Sequence, residues 1–175
     1  MKWIYLTPLL ALLMGFSPAE PKAEINWMSW EEAVEASETE QRKVLVDFYT
    51  DWCGWCKRMD KTTYEDPSVV DYINKNYYAV KFDAEQKEDI VVKGRTFKFV
   101  KNGRRGYHEL AASIMQGKMS YPTTSFLDEN FNLLTNVPGF QQAKQFMPIL
   151  AYFGEDAYKS EGWNSFSQNY MKSGK

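Results

Sequence analysis

The only cysteines in the chain, Cys53 and Cys56, are separated by two residues in the run Trp52-Cys53-Gly54-Trp55-Cys56. Thiol–disulfide exchange needs a thiolate that attacks and a second thiol close enough to resolve the mixed disulfide that results. Two intervening residues supply both when the pair lies across the first turn of a helix. Cys53 would then face unpaired backbone N–H groups and the positive end of the helix dipole, which favour a thiolate. Cys53 is the expected nucleophile and Cys56, one turn deeper, the resolving thiol. A disulfide that staples a small fold normally closes a larger loop, because stabilisation grows with the loop it constrains. A closed zinc site takes four ligands, yet beyond this pair the chain offers only His108 as a thiol or imidazole donor. The sequence therefore predicts no metal, and without a glycine-rich phosphate loop it predicts no nucleotide or other cofactor.

The elements that must position this pair are legible on either side. Lys43 to Thr50 is an almost continuous apolar and β-branched run, the pattern of a strand buried on both faces. The cysteines follow it directly and Lys57 to Thr63 continues as a helix, so Cys53 stands where a strand hands over to a helix. Asp66-Pro67 ends that helix and opens another, Ser68 to Asn76, before a second strand, Tyr77 to Asp83. The helical crossover implies that these two strands are parallel. An opening helix is expected over Trp27 to Ser37, with Ser29 as its cap. Ile90–Val92 and Phe97–Val100 are expected to pair around Lys93-Gly94-Arg95-Thr96. The stretch 102–106 is expected to be a loop, and Tyr107 to Gln116 a helix ended by Gly117. Thr123–Asp128 and Leu133–Val137 form a hairpin, a helix follows from about Gln141 to Phe153, and Glu155 to Tyr170 is an aromatic-rich amphipathic helix.

The stretch from Val44 through Asp47, Trp52, Cys53 and Cys56 to Lys57 resembles the active-site segment of thioredoxins, and the resemblance runs from about Lys43 to Leu150. It implies an α/β thioredoxin fold, a central mixed sheet flanked by helices. By the same likeness Asp47 matches the buried acid that takes a proton from the resolving cysteine, and Lys81 the lysine that pairs with that acid. Physical chemistry agrees, since a carboxylate inside an apolar strand is costly to ionise and its pKa should rise. The competing reading is a strand-end aspartate in solvent. Ser120-Tyr121-Pro122-Thr123 resembles the family loop in which a cis-proline lies across from the redox pair, where Tyr121 would pair its backbone with an extended substrate peptide. Trp52, Gly54, Trp55, Tyr121 and Pro122 are the substrate-binding residues this implies. The alternative is a trans-proline opening an edge strand.

Three features depart from thioredoxin. Trp55 stands where thioredoxins have proline between the cysteines, so their reduction potential does not carry over. No proline interrupts the helix Lys57 to Thr63. The connection over about 84–119 is longer, and its run Gly103 to Glu109 resembles an element inserted in bacterial envelope thioredoxin-like proteins. Within it, Arg104, Arg105 and His108 could contact a partner or favour the Cys53 thiolate; the plainer reading is a solvated loop with a helix-capping role.

The formal net charge of -2 gives no field to attract nucleic acid or an anionic membrane. Met1-Lys2-Trp3 and the apolar run Ile4–Phe16 have the layout of a secretory signal, with Ser17 and Ala19 placing cleavage after residue 19 and an uncleaved anchor as the alternative. The expected organisation is a signal over 1–19, a thioredoxin-like domain over 24–153 and a helical tail over 154–175. Together these lead us to expect an exported, periplasmic, monomeric thiol–disulfide oxidoreductase. Its clients would be proteins with cysteines or disulfides, and a reductase would need a membrane electron donor. Isomerase and peroxidase roles fit less well: no dimerisation segment is evident, and no distant resolving cysteine exists. The alternative of another class is a non-catalytic peptide-binding module whose disulfide stays locked.

Overall fold

A computed structural model describes residues 23–173. The expected signal over 1–19 lies outside the described residues. At the centre is a five-stranded sheet in the order Trp27–Met28 (β1), Tyr77–Asp83 (β3), Lys43–Tyr49 (β2), Thr123–Leu127 (β8) and Leu133–Pro138 (β9). β2 (Lys43–Tyr49) and β3 (Tyr77–Asp83) run parallel, joined through the helices α2 (Gly54–Thr62) and α3 (Pro67–Asn76). β8 (Thr123–Leu127) pairs antiparallel with β2, and β9 (Leu133–Pro138) antiparallel with β8. The thioredoxin fold expected from the sequence is thus present.

The two faces of β2 feed two cores. Val44, Val46 and Phe48 pack with Trp30 and Ala33 of α1 (Trp30–Thr39) and with Leu110 and Ala111 of α4 (Glu109–Ile114). Leu45, on the other face, packs with Met59 of α2, Val69, Val70 and Ile73 of α3, and Phe146 and Leu150 of α5 (Ala143–Gly154). Each fully buried Val, Leu, Ile, Phe or Met side chain among these contributes about 1.5–3 kcal/mol. Local signals set the helix starts. Ser29 and Glu32 form a reciprocal capping box on α1, and Asp66 Oδ1 accepts from Ser68 N and Val69 N ahead of Pro67 at the start of α3.

Several expected boundaries are corrected. Trp27–Met28 is not the first turn of a helix but the edge strand β1, paired parallel with Ala79 and Val80; α1 begins only after its Ser29 cap. The first hairpin is tighter than expected. β4 (Ile90–Val92) pairs with β5 (Arg95–Phe97) through a two-residue turn in which Lys93 and Gly94 both take positive φ, +49° and +79°, a geometry that matches strand twist. Phe99 and Val100 belong instead to a second hairpin, β6 (Phe99–Asn102) with β7 (Arg105–His108). The expected loop over 102–106 and helix from Tyr107 therefore give way to a turn at Gly103-Arg104 and the short α4. At the far end, α6 (Trp163–Lys172) lies on α5, with Tyr152 meeting Trp163 and Phe166 at ring-centroid distances of 5.4 and 5.2 Å. Lys43, nearly buried, ties Glu129 of the β8–β9 turn at 2.7 Å and Asp156 behind α5 at 2.8 Å.

The β6–β7 hairpin depends on a glycine. A Cβ on Gly106 would lie 2.2 Å from Phe99 Cζ and 2.4 Å from the Val100 carbonyl oxygen, distances no real contact tolerates. Gly106→Ala should therefore lower stability by about 1–3 kcal/mol and remove hydrogen-exchange protection from the Val100 and Asn102 amides. Urea denaturation and amide exchange measure both, and an unchanged midpoint with protected amides would contradict the assignment.

Candidate functional site

β2 ends at Tyr49, and the chain turns through Thr50-Asp51-Trp52 into α2. The Cys53 amide donates to the Thr50 carbonyl at 3.0 Å, which fixes the turn, and Cys53 takes the N-cap position of α2. Its Sγ accepts from the Cys56 amide at 3.0 Å, so the sulfur sits on the orphan N–H groups that begin the helix. Cys53 and Cys56 form a disulfide with an S–S distance of 2.07 Å. Cys53 is 5% exposed and Cys56 1%, so a reacting partner meets the Cys53 sulfur first.

Behind the pair, the parallel register sets Asp47 directly beside Lys81. The solvent-exposed alternative for Asp47 is excluded, because the residue is only 1% exposed. Its Oδ2 accepts from Lys81 Nζ at 2.6 Å, while Oδ1 has no hydrogen-bond partner among the described residues. Burial pushes the Asp47 carboxyl above its ordinary range, and the attraction of Lys81 offsets this only in part. Burial draws the Lys81 ammonium down, but its bonds to Asp47 and Asp60 outweigh that and raise it.

Sequence reasoning overlooked two members of this group. Asp60, on α2, also accepts from Lys81 Nζ. It lies four residues after Cys56, hence on the same helix face. Tyr64, just past the helix, bonds Thr124 Oγ1 at 3.2 Å, and burial followed by the Asp47 charge raises its phenol well above the ordinary range. Lys81 Nζ is further enclosed by the rings of Trp27, Tyr49 and Tyr64, 4.9 to 5.2 Å from their centroids. A cavity of about 420 Å³ lined by Trp27, Asp60, Tyr64 and Lys81 opens the group toward solvent. The helical spacing Cys56–Asp60 was the available signal for Asp60; nothing local marked Tyr64.

The Tyr121-Pro122 bond is cis, as expected. Because Thr123 pairs with Phe48, the proline loop lies at the end of β2 from which the redox turn departs, and the Pro122 carbonyl accepts from Gly139 N at 2.7 Å. Trp52 meets Tyr121 edge-on at 5.9 Å, and Trp55 faces Phe140 at 5.6 Å. Both tryptophans are about half exposed. Gly54 at the helix start has open space around it, so no steric demand fixes a glycine there.

Of the inserted residues, His108 is fully buried and caps α4: its Nδ1 accepts from the Leu110 amide, so Nε2 donates to the Glu88 carbonyl at 3.0 Å. The capping reading holds for this residue, and it is not a surface contact. Arg105 lies over the ring of Trp52, its Cζ 4.0 Å from the centroid. Among the described residues no cluster of His, Cys, Asp and Glu side chains is arranged to hold a metal ion, and no helix is long and apolar enough to cross a membrane.

The chain is similar to known proteins in sequence and in fold. The model of the family Thioredox_DsbH, described as "Protein of unknown function, DUF255", matches residues 17–153. The thiol:disulfide interchange protein DsbD of Haemophilus ducreyi is 29% identical over 113 residues, 62% of this chain but 16% of that protein. The chain thus matches only a small share of its curated relatives. Among solved structures, a DsbH oxidoreductase has a TM-score of 0.55 at 16% identity, covering 81% of this chain and 93% of its own. A thioredoxin-fold protein from Helicobacter pylori has a TM-score of 0.57 at 17% identity, covering 89% and 91%. These two likenesses carry the fold.

A carboxyl whose folded pKa is raised binds its proton more tightly in the native state than in the unfolded chain. Its favourable contribution is complete at pH values below the unfolded pKa and is lost as pH rises through the folded one. Asp47→Asn should therefore raise the melting temperature at pH 7 by a few degrees, about 2–6 °C, and the gain should vanish near pH 3. Thermal denaturation across pH checks this; an Asn variant less stable at neutral pH would mean that the ion pair outweighs burial.

Proposed function

This chain belongs to the Thioredox_DsbH family within the thioredoxin superfamily, and from that premise we propose that it is a thiol–disulfide oxidoreductase that reduces disulfides in exported proteins. The observation that carries the reading is a disulfide at a helix N-terminus with the enclosed Asp47–Lys81 pair behind it. In the reduced protein, the Cys53 thiolate attacks one sulfur of a client disulfide. The client S–S bond breaks, its other sulfur leaves as a thiolate and takes up a proton, and Cys53 is left joined to the client. Cys56 then passes its proton to the Asp47 carboxylate and attacks the Cys53 sulfur. The mixed disulfide breaks, the second client thiol is released, and Cys53–Cys56 closes. The client gains two electrons and two protons.

Asp47 serves Cys56 in the step that completes client reduction, and its protonated form serves the reverse of that step. Lys81 steadies the ionised form of that base. Trp52, Gly54, Trp55 and the Tyr121-Pro122 loop form the surface on which the client strand lies, with the Tyr121 backbone free to pair with it. The oxidised pair must regain two electrons from a dithiol, which outside the cytosol implies a membrane-bound donor. The export reading rests on the basic-apolar start of the sequence, and the monomer reading on the sequence alone. The relative's designation as a thiol:disulfide interchange protein supports the same chemistry.

Cys53→Ser should abolish exchange, while Cys56→Ser should accumulate mixed disulfides detectable on non-reducing gels. Equal trapping by both variants would overturn the assignment of roles, and clients retained with no turnover in the wild type would favour a binding module. Asp47→Asn should slow release of the mixed disulfide by about 10²-fold or more while leaving initial attack nearly unchanged; stopped-flow fluorescence separates the two steps. Equilibration against dithiothreitol tests the direction: a potential near about -270 mV fits a reductase, whereas about -120 mV would make the protein an oxidant.

A further inference from the structure

Two guanidinium groups lie on aromatic faces on the two sides of the redox turn. On the side of the proline loop, Arg105 covers Trp52 at 4.0 Å, and Trp52 in turn meets Tyr121. On the helix side, Arg58 lies 5.3 Å from the ring centroid of Trp55 and 5.4 Å from that of Phe140. Neither arginine side chain forms a hydrogen bond or ion pair with a described residue. A guanidinium held over a ring keeps its N–H donors free at the edge, and the stacking has already reduced the freedom that binding a carboxylate would remove.

Both arginines are positioned by secondary structure. Arg58 is one turn into α2. Arg105 is carried by β7, where the adjoining Gly106 packs against Phe99 and the His108 amide donates to the Ala84 carbonyl at 2.7 Å, just past the end of β3. Carboxylates do occur near the proline loop: Asp83 and Glu85 act on Tyr121, raising its phenol after burial to about 12, and Asp51 acts on Asp83. None of the three pairs with Arg105 or Arg58. The two forks therefore rest on the tryptophans that precede and follow Cys53 in the chain, their bidentate capacity unused, beside aromatic faces that suit an extended chain.

We propose that this face recognises client segments in which the reacting cysteine is flanked on both sides by aspartate or glutamate, Arg105 binding one carboxylate and Arg58 the other. The proposal deepens the oxidoreductase reading and rests on Cys53 being the sulfur that clients approach. It assigns a specificity role to the β6–β7 hairpin, which the exchange chemistry itself does not require.

The test uses the full chain and three synthetic peptides identical except for Glu, Gln or Lys on each side of the cysteine. Serine replaces the cysteine for binding, followed by tryptophan fluorescence; mixed disulfides of the same peptides are used for turnover. Glu-flanked peptide should bind about ten-fold more tightly than Lys-flanked peptide at low salt, two exposed charge-assisted pairs contributing together. The preference should fall about three-fold in Arg105→Gln or Arg58→Gln and disappear in the double variant and at high salt. The reduction potential of the variants should stay at the wild-type value, which separates client binding from an effect on the thiolate. Equal binding of all three peptides, or a preference that survives the double substitution, would overturn the proposal. Binding preference without turnover of any peptide would leave it standing and remove the oxidoreductase reading instead.

Discussion

Burial of β2 on both faces is the constraint on which the rest of the molecule depends. Alternation along a strand sends Val44, Val46 and Phe48 to one core and Leu45 to the other, so Asp47 must enter the second core as well. A lone carboxylate there would be prohibitive, and the parallel pairing with β3 answers by presenting Lys81 at the matching position. Lys81 cannot then neutralise the site alone, because α2 brings Asp60 to the same ammonium. The acid behind the cysteines is thereby tolerated without being fully satisfied. That balance suits the proton-accepting role proposed for Asp47.

The disulfide contributes little to holding this fold together. It closes a loop of only two intervening residues, so the entropy it removes from the unfolded chain is small. The turn around it is held independently, by the Cys53 amide bond to Thr50, the antiparallel pairing of β2 with β8, and the ring contacts of Trp52 and Trp55. Opening and closing the S–S bond can therefore proceed on a scaffold whose stability resides elsewhere. The cores under α1, α3 and α5 supply it.

The sequence made the redox end legible because its signals are local. A continuous apolar run, an acid within it, the cysteine spacing and Pro122 ahead of the next strand each carry their meaning within a few residues. What stayed hidden depends on the chain returning to itself. Trp27–Met28 resembles a helix start until β3 is beside it. Phe99 to His108 lacks strand-like alternation, because Gly106 packs against Phe99 and Lys101 and Asn102 face solvent. Asp60 looks like any charge on an exposed helix, and its partner is supplied by a strand 21 residues away. The burial of His108 is hidden for the same reason: only the fold reveals the Glu88 carbonyl that its ring meets.

The β6–β7 hairpin shares none of its ladder with the five-stranded sheet and is tied beside β3 at its base, where the His108 amide donates to the Ala84 carbonyl. Its tip can therefore diverge in sequence without disturbing the register that aligns Asp47 with Lys81. Such a layout places two separable parts in a single small domain. The chemistry is anchored in the central sheet, while the client preference proposed for Arg105 is carried on a ribbon outside it.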